Sequence, residues 1–76
     1  MSHIPAARSE DVIKVAKKLG FEFSRQAGSS HAVYKRAADR RRVIVPVHSG
    51  KEIKRKTLAA ICDQLGVDFE HFRALG

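Results

Sequence analysis

Gln26-Ala27-Gly28-Ser29-Ser30-His31-Ala32-Val33-Tyr34 is the stretch that decides how this chain folds. A polar loop containing a glycine runs into a histidine, and the histidine opens an apolar alternation that reads as a strand. This arrangement holds an imidazole at the mouth of a sheet, beside backbone that a ligand can approach closely.

Upstream, Phe21–Gln26 alternates with period two and reads as a first strand, with Phe21 and Phe23 directed to the core. His31–Arg36 is the second strand. Ala37-Ala38-Asp39-Arg40 is a short polar turn, and Arg41–Val47 is the third strand, with Val43, Val45 and Val47 on one face and Arg42, Ile44 and Pro46 on the other. The second and third strands are close enough in sequence to pair as a hairpin. A turn centred between Ala38 and Arg40 sets His31 opposite Val47 and His48 opposite Ser30. Pro46 has no N–H to give to a ladder, so this strand end is expected either at a sheet edge or already leaving the sheet.

Helices flank the strands. Ser9 is a candidate N-cap, with Glu10 and Asp11 in the first turn, where the helix dipole favours negative charge. Val12, Val15, Ala16 and Leu19 recur at helical spacing, Lys14, Lys17 and Lys18 lie opposite, and Gly20 ends the helix. After His48-Ser49-Gly50, the basic connector Lys51–Lys56 leads to Thr57, which opens or caps a second helix. Leu58, Ile61, Cys62 and Leu65 form its apolar face and Gly66 ends it. Asp68 caps a short last helix bearing Phe69 and Phe72. The reading is α+β: a helix, three antiparallel strands, a helix and a short helical tail. Both main helices need one common surface, so they cover one sheet face and leave the other more open. Met1–Arg8 reads as a loose arm and residues 9–76 as one domain.

The bulk numbers narrow the class. Seventy-six residues make one domain with a thin core. The apolar runs are short, so no membrane span is expected, and no signal-peptide pattern opens the chain. A single cysteine, Cys62, excludes an internal disulfide and fits a cytoplasmic setting. Net charge is +7, unevenly placed. Ten Lys/Arg and two acids between Arg25 and Lys56 leave +8 there, whereas five basic and six acidic side chains elsewhere leave −1. This is either a solvated surface or the electrostatic footprint of a polyanion. No amphipathic helix carries these charges, which disfavours an anionic membrane.

Of the four histidines, His3 and His71 lie in the arm and the tail, while His31 and His48 fall at one end of the hairpin. Histidine suits proton transfer near neutral pH. Nearby cations and the backbone amides around Gly28 and Gly50 can hold a phosphate and its developing charge. That set suffices to cleave RNA without a metal, and the sequence shows no metal-ligand spacing. The residue types alone leave a second reading open, in which His31 is a hydrogen-bonding edge residue. Ser29 and Ser30 read as loop formers, Cys62 as a small core residue, and Tyr34 either as a ring that stacks on a base or as a half-buried strand residue.

The helix end Lys17-Lys18-Leu19-Gly20-Phe21, the loop Arg25–His31 with Val33-Tyr34, the run Val45–Ile53, and Lys56–Ile61 with Gln64–Val67 together resemble a HicA-type toxin of bacterial toxin–antitoxin systems, over roughly Arg8 to Phe72. The resemblance implies a double-stranded-RNA-binding-domain-like fold and a metal-independent endoribonuclease (an mRNA interferase) without cofactors. It places the catalytic histidine at His31, three residues before Tyr34. It implies a HicB-type antitoxin that covers His31, with operator DNA bound only through the toxin–antitoxin complex. Arg25, Gly28, Ser29, Ser30, Tyr34, Lys35, His48, Lys51, Lys54, Arg55 and Lys56 are the candidate RNA contacts. His48 reads either as a second proton-transfer group or as a loop residue. Two departures stand out: Gly28-Ser29-Ser30-His31 carries an extra serine, and the arm is longer than the family usually shows. Gly28–His31 and Lys54-Arg55-Lys56 also resemble the loop and basic cluster of a non-catalytic duplex-RNA-binding module, which is the alternative reading.

Overall fold

The computed structural model describes residues 7–47 and 52–76. The order is α1 (Ser9–Lys18), β1 (Glu22–Ala27), β2 (His31–Arg36), β3 (Arg41–Pro46), α2 (Arg55–Leu65) and α3 (Phe69–Leu75). The strands form one antiparallel sheet in the order β1-β2-β3, so β3 is an edge, as Pro46 requires.

The local signals act where the sequence puts them, with small shifts. α1 begins at Ser9 with Arg8 as its N-cap, and the Asp11 carboxylate reaches back to accept the Arg8 N–H at 2.9 Å. Gly20 follows α1 with φ +91°, and Gly66 closes α2 with φ +80°, a left-handed geometry that glycine adopts at no steric cost. Asp68 caps α3 through the His71 N–H at 2.8 Å. α2 opens two residues before Thr57, with Lys54 at its N-cap, so the end of the basic connector is helical. Ala7 and Arg8, read as the end of the arm, are tied into the domain. Ala7 is buried and its carbonyl accepts the Ile53 N–H at 2.7 Å. The rest of the arm lies outside the described residues.

Burial follows the two periods. Val12, Val15 and Ala16 of α1 and Leu58, Ile61, Cys62 and Leu65 of α2 meet Ala32, Tyr34, Val43 and Val45 of the sheet, with Phe21 and Phe72 closing the ends. Burial pushes the Cys62 thiol pKa up, with the Asp68 charge adding to the shift, so the sulfur acts as a packed apolar atom. The helices cover β2 and β3 but not β1, where every residue from Glu22 to Gln26 is exposed. This corrects the reading of Phe23 as core. Its ring is 57% exposed and touches the buried Tyr34 edge-on, with centroids 5.7 Å apart. The β2–β3 register sets His31 opposite Pro46, one residue from the expected pairing with Val47. The ladder continues into the loop, where the Val47 N–H donates to the Ser30 carbonyl at 2.7 Å. A bulge between Phe23 and Arg25 shifts the β1–β2 register.

Arg36 fastens the far end of the sheet. Its guanidinium donates to the Leu19 carbonyl after α1 and to both Asp39 oxygens in the hairpin turn, and it lies 4.6 Å over the Phe21 ring. Asp39 is held down to a pKa of about 2, first by the Arg36 hydrogen bonds. Its folded value lies below the ordinary 3.8, so the pair stabilises the fold fully above that value and ceases to as pH falls through about 2. In acid titrations, Asp39→Asn is expected to be less stable than the parent at pH 7 and to lose the part of the parent's stability loss that falls between about pH 4 and pH 2. Phe21→Ala, which empties a fully buried site, is expected to cost about 3–5 kcal/mol in urea unfolding. That is a large share of the stability of so small a domain.

Candidate active site and nucleic-acid interface

His31 is the first residue of β2, exposed, between Ala27 of β1 and Pro46 of β3. The loop before it has three residues, Gly28-Ser29-Ser30, and Gly28 makes the turn at φ +71°. The second serine does not displace the histidine from the sheet. Ser30 stays in register with β3 through its carbonyl, and its Oγ lies 3.5 Å from His31 Nδ1. The residues flanking the imidazole are thus fixed by ladder bonds on both sides.

The same end of the molecule receives the starts of both main helices. Ser9, at the start of α1, donates its hydroxyl to the Pro46 carbonyl. α2 starts beside His31 at Lys54 and ends at the hairpin turn, where Arg41 donates to the carbonyls of Asp63 and Gln64 at 3.3 and 3.2 Å. Arg41 therefore sits at the negative end of the α2 dipole, while the positive end faces the histidine. The first turn of α2 carries no acid, and Lys54, Arg55 and Lys56 are exposed there. Backbone dipole and side-chain charge add at this end instead of cancelling, which suits it to a phosphate.

Between the β3 edge and α2 runs a groove of about 590 Å³ with His31 in its wall. Ile44 and Pro46 line the strand side, Thr57, Ala60, Ile61 and Gln64 the helix side, and Glu52, Ile53 and Lys54 the end near the loop. Gln64 Oε1 accepts the outward Ile44 N–H at 3.0 Å. The sequence reading missed this groove. Its only signal was Thr57, Ala60 and Gln64 at i, i+3 and i+7, one stripe along a helix whose apolar face lies next to it.

Of the other candidate contacts, Arg25 and Lys35 are exposed and share with His31 the sheet face turned from the helices. Gly28 and Ser29 are exposed at the loop, and Ser30 is half-buried. Tyr34 lies on the core face and is 6% exposed, so its ring is a packing element against Phe23 with no open face for a base. His48, Gly50 and Lys51 lie outside the described residues. The positive charge also divides by role. Among the described residues the ion pairs join Arg36 and Arg41 to Asp39, at the end of the sheet away from His31. Among these residues no three of His, Cys, Asp and Glu converge as a metal site, and no helix is long and apolar enough to cross a membrane.

A three-stranded antiparallel sheet with both main helices on one face, a histidine at the start of its central strand and cations on an acid-free helix start define a small basic α+β domain with its histidine and its exposed cations at one end. The chain belongs to the HicA toxin family: the family described as HicA toxin of bacterial toxin-antitoxin matches residues 9–67, from the start of α1 to just past α2. It is thus the toxin component of a toxin–antitoxin system, with a cognate antitoxin as partner. No curated protein matches the chain.

The geometry separates charge contacts from packing. Replacing Lys54, Arg55 and Lys56 together by alanine is expected to weaken RNA binding and to reduce the slope of log affinity against log salt by about 2, at about 0.7 per phosphate neutralised on a single strand. Tyr34→Leu, checked to be folded by circular dichroism, is expected to leave RNA affinity unchanged in fluorescence-anisotropy titrations. A loss in folded Tyr34→Leu that matches the triple variant's would return this ring to the interface.

Proposed function

We propose that the protein is a metal-independent endoribonuclease that cleaves mRNA and so halts translation, with His31 as its catalytic residue. The observation that carries this reading is the position of His31: an exposed imidazole at the rim of a groove, beside an acid-free helix start bearing three cations. The RNA supplies its own nucleophile. His31 takes the proton from a ribose 2′-hydroxyl, the freed oxygen forms a bond to the adjacent phosphorus, and the bond from phosphorus to the 5′-oxygen breaks. The departing oxygen takes a proton from the imidazolium or from water. The products are a 2′,3′-cyclic phosphate and a 5′-hydroxyl, so charge and atoms balance without a cofactor.

Each neighbour has a task in this scheme. Ser30 Oγ beside Nδ1 orients the ring, which leaves Nε2 for the substrate hydroxyl. Lys54, Arg55, Lys56 and the N–H groups of the first turn of α2 hold the phosphate and the charge that grows on it during attack. Arg25 and Lys35 guide the strand across the open sheet face. His48 and Lys51 are kept in the proposed RNA-contact set on their sequence positions. A HicB-type antitoxin neutralises the toxin by covering His31, and operator DNA is engaged only by the complex of the two.

The test is expression of wild type and His31→Ala side by side, with RNA cleavage assayed on purified proteins. The alanine variant is expected to keep the fold and RNA affinity while cleavage falls by about 10²- to 10⁴-fold and growth arrest is relieved. RNA with a 2′-deoxy sugar at the cut site is expected to survive wild type. Persistent cleavage by His31→Ala would overturn the assignment. Stoichiometric binding of duplex RNA without scission by wild type would favour a non-catalytic module instead.

A further inference from the structure

We infer that the groove between β3 and α2 is a nucleobase subsite, which seats one base of the RNA strand next to the phosphate held at the start of α2. The inference rests on the nuclease reading for its biological meaning, but its geometry stands separately. At about 590 Å³ the groove lies within the ~300–1,000 Å³ range of small-molecule sites. Its walls are aliphatic on both sides, Ile44 and Pro46 facing Ala60 and Ile61, and such walls take the flat face of a base out of water.

The polar groups decide what kind of occupant fits. Gln64 Oε1 already accepts the Ile44 N–H, which fixes the amide's orientation and leaves its two N–H donors, with one oxygen lone pair, for a ligand. Thr57 adds a hydroxyl, and the Glu52 carboxylate adds an acceptor near the loop end. A purely apolar plug from a protein partner would bury the Gln64 donors without acceptors, which is costly. A base brings ring nitrogens and carbonyl oxygens for Gln64 and Thr57, and N–H groups for Glu52. Its attached phosphate is then left at the groove end where Lys54 stands and His31 faces the ribose. Glu52 and Lys54 stand at the same end of the groove, so an acceptor for the N–H groups of the base lies next to the cation that holds the phosphate.

The two parts of this picture titrate separately. In ¹⁵N-labelled wild type, adenosine, cytidine, guanosine and uridine 3′-monophosphates are added one at a time, with inorganic phosphate as the comparison. These ligands have no bond for the enzyme to cut, so the result does not depend on catalysis. At least one nucleotide is expected to shift the Ile44, Ala60 and Ile61 amides and the Gln64 side-chain N–H₂, whereas phosphate shifts only the Lys54–Lys56 region. Ala60→Met, at an exposed helix position that the fold tolerates, fills the groove. It is expected to weaken nucleotide binding about tenfold while the response to phosphate stays. Nucleotides that behave as phosphate does, or an Ala60→Met chain that binds them unchanged, would overturn the subsite. If wild type failed to cut RNA, the nuclease reading would fall while groove shifts could still stand. His31-dependent cleavage without groove shifts would mark the reverse.

Discussion

The packing of two amphipathic helices on the inner face of β2 and β3 is the contact on which the rest of this molecule depends. Ala32, Tyr34, Val43 and Val45 present a surface two strands wide, and Val12, Val15, Leu58, Ile61 and Leu65 fill it. Among the described residues no further layer covers β1, whose side chains from Glu22 to Gln26 stay exposed. Both helices run the same way along the sheet, with the Ser9 hydroxyl on Pro46 at one end and Arg36 and Arg41 fastening their last turns at the other. The direction of packing thereby sorts the chemistry. Donor N–H groups of two helices and the histidine gather at one end, and the ion pairs that hold the fold gather at the other.

This division changes how the charge excess reads. A tally of Lys and Arg assigns equal weight to every cation between Arg25 and Lys56. In the fold, Arg36 and Arg41 spend their hydrogen bonds on Asp39 and on backbone carbonyls, and Arg36 also covers the Phe21 ring. They resemble rivets more than a binding surface. The exposed Lys54, Arg55 and Lys56 differ: they make no ion pair among the described residues and sit at the positive end of the α2 dipole.

Much of this was legible in the residues, and the exceptions have physical causes. Gly66 and Asp68 marked helix boundaries because left-handed backbone and capping are strictly local demands. Pro46 marked an edge because a missing N–H is a property of the residue itself. The family emerged from the loop before His31 and from the runs around it, and the matched span agrees. Phe23 was misjudged, and Tyr34 was left between two readings, because alternation reports a strand's two faces but not whether a helix lies over either one. The hairpin register differs by one residue because the four-residue turn Ala37–Arg40 is centred between Ala38 and Asp39, pairing Arg36 with Arg41, and not on Asp39. The groove was illegible because it forms between a strand edge and a helix flank that are far apart in the chain.

The bond from Ile44 to Gln64 has a consequence for assembly as well as for the groove. An edge strand recruits another strand by offering a row of free donors and acceptors. On β3 the part of that row nearest His31 is partly spent: Ile44 gives its N–H to Gln64, residue 46 has none, and its carbonyl is held by Ser9. β1 has no such cover, and its residues from Glu22 to Gln26 lie open to solvent. Among the described residues, the β3 edge beside His31's groove is therefore the less open to strand addition, and β1 is the edge that offers a further strand a backbone without such cover.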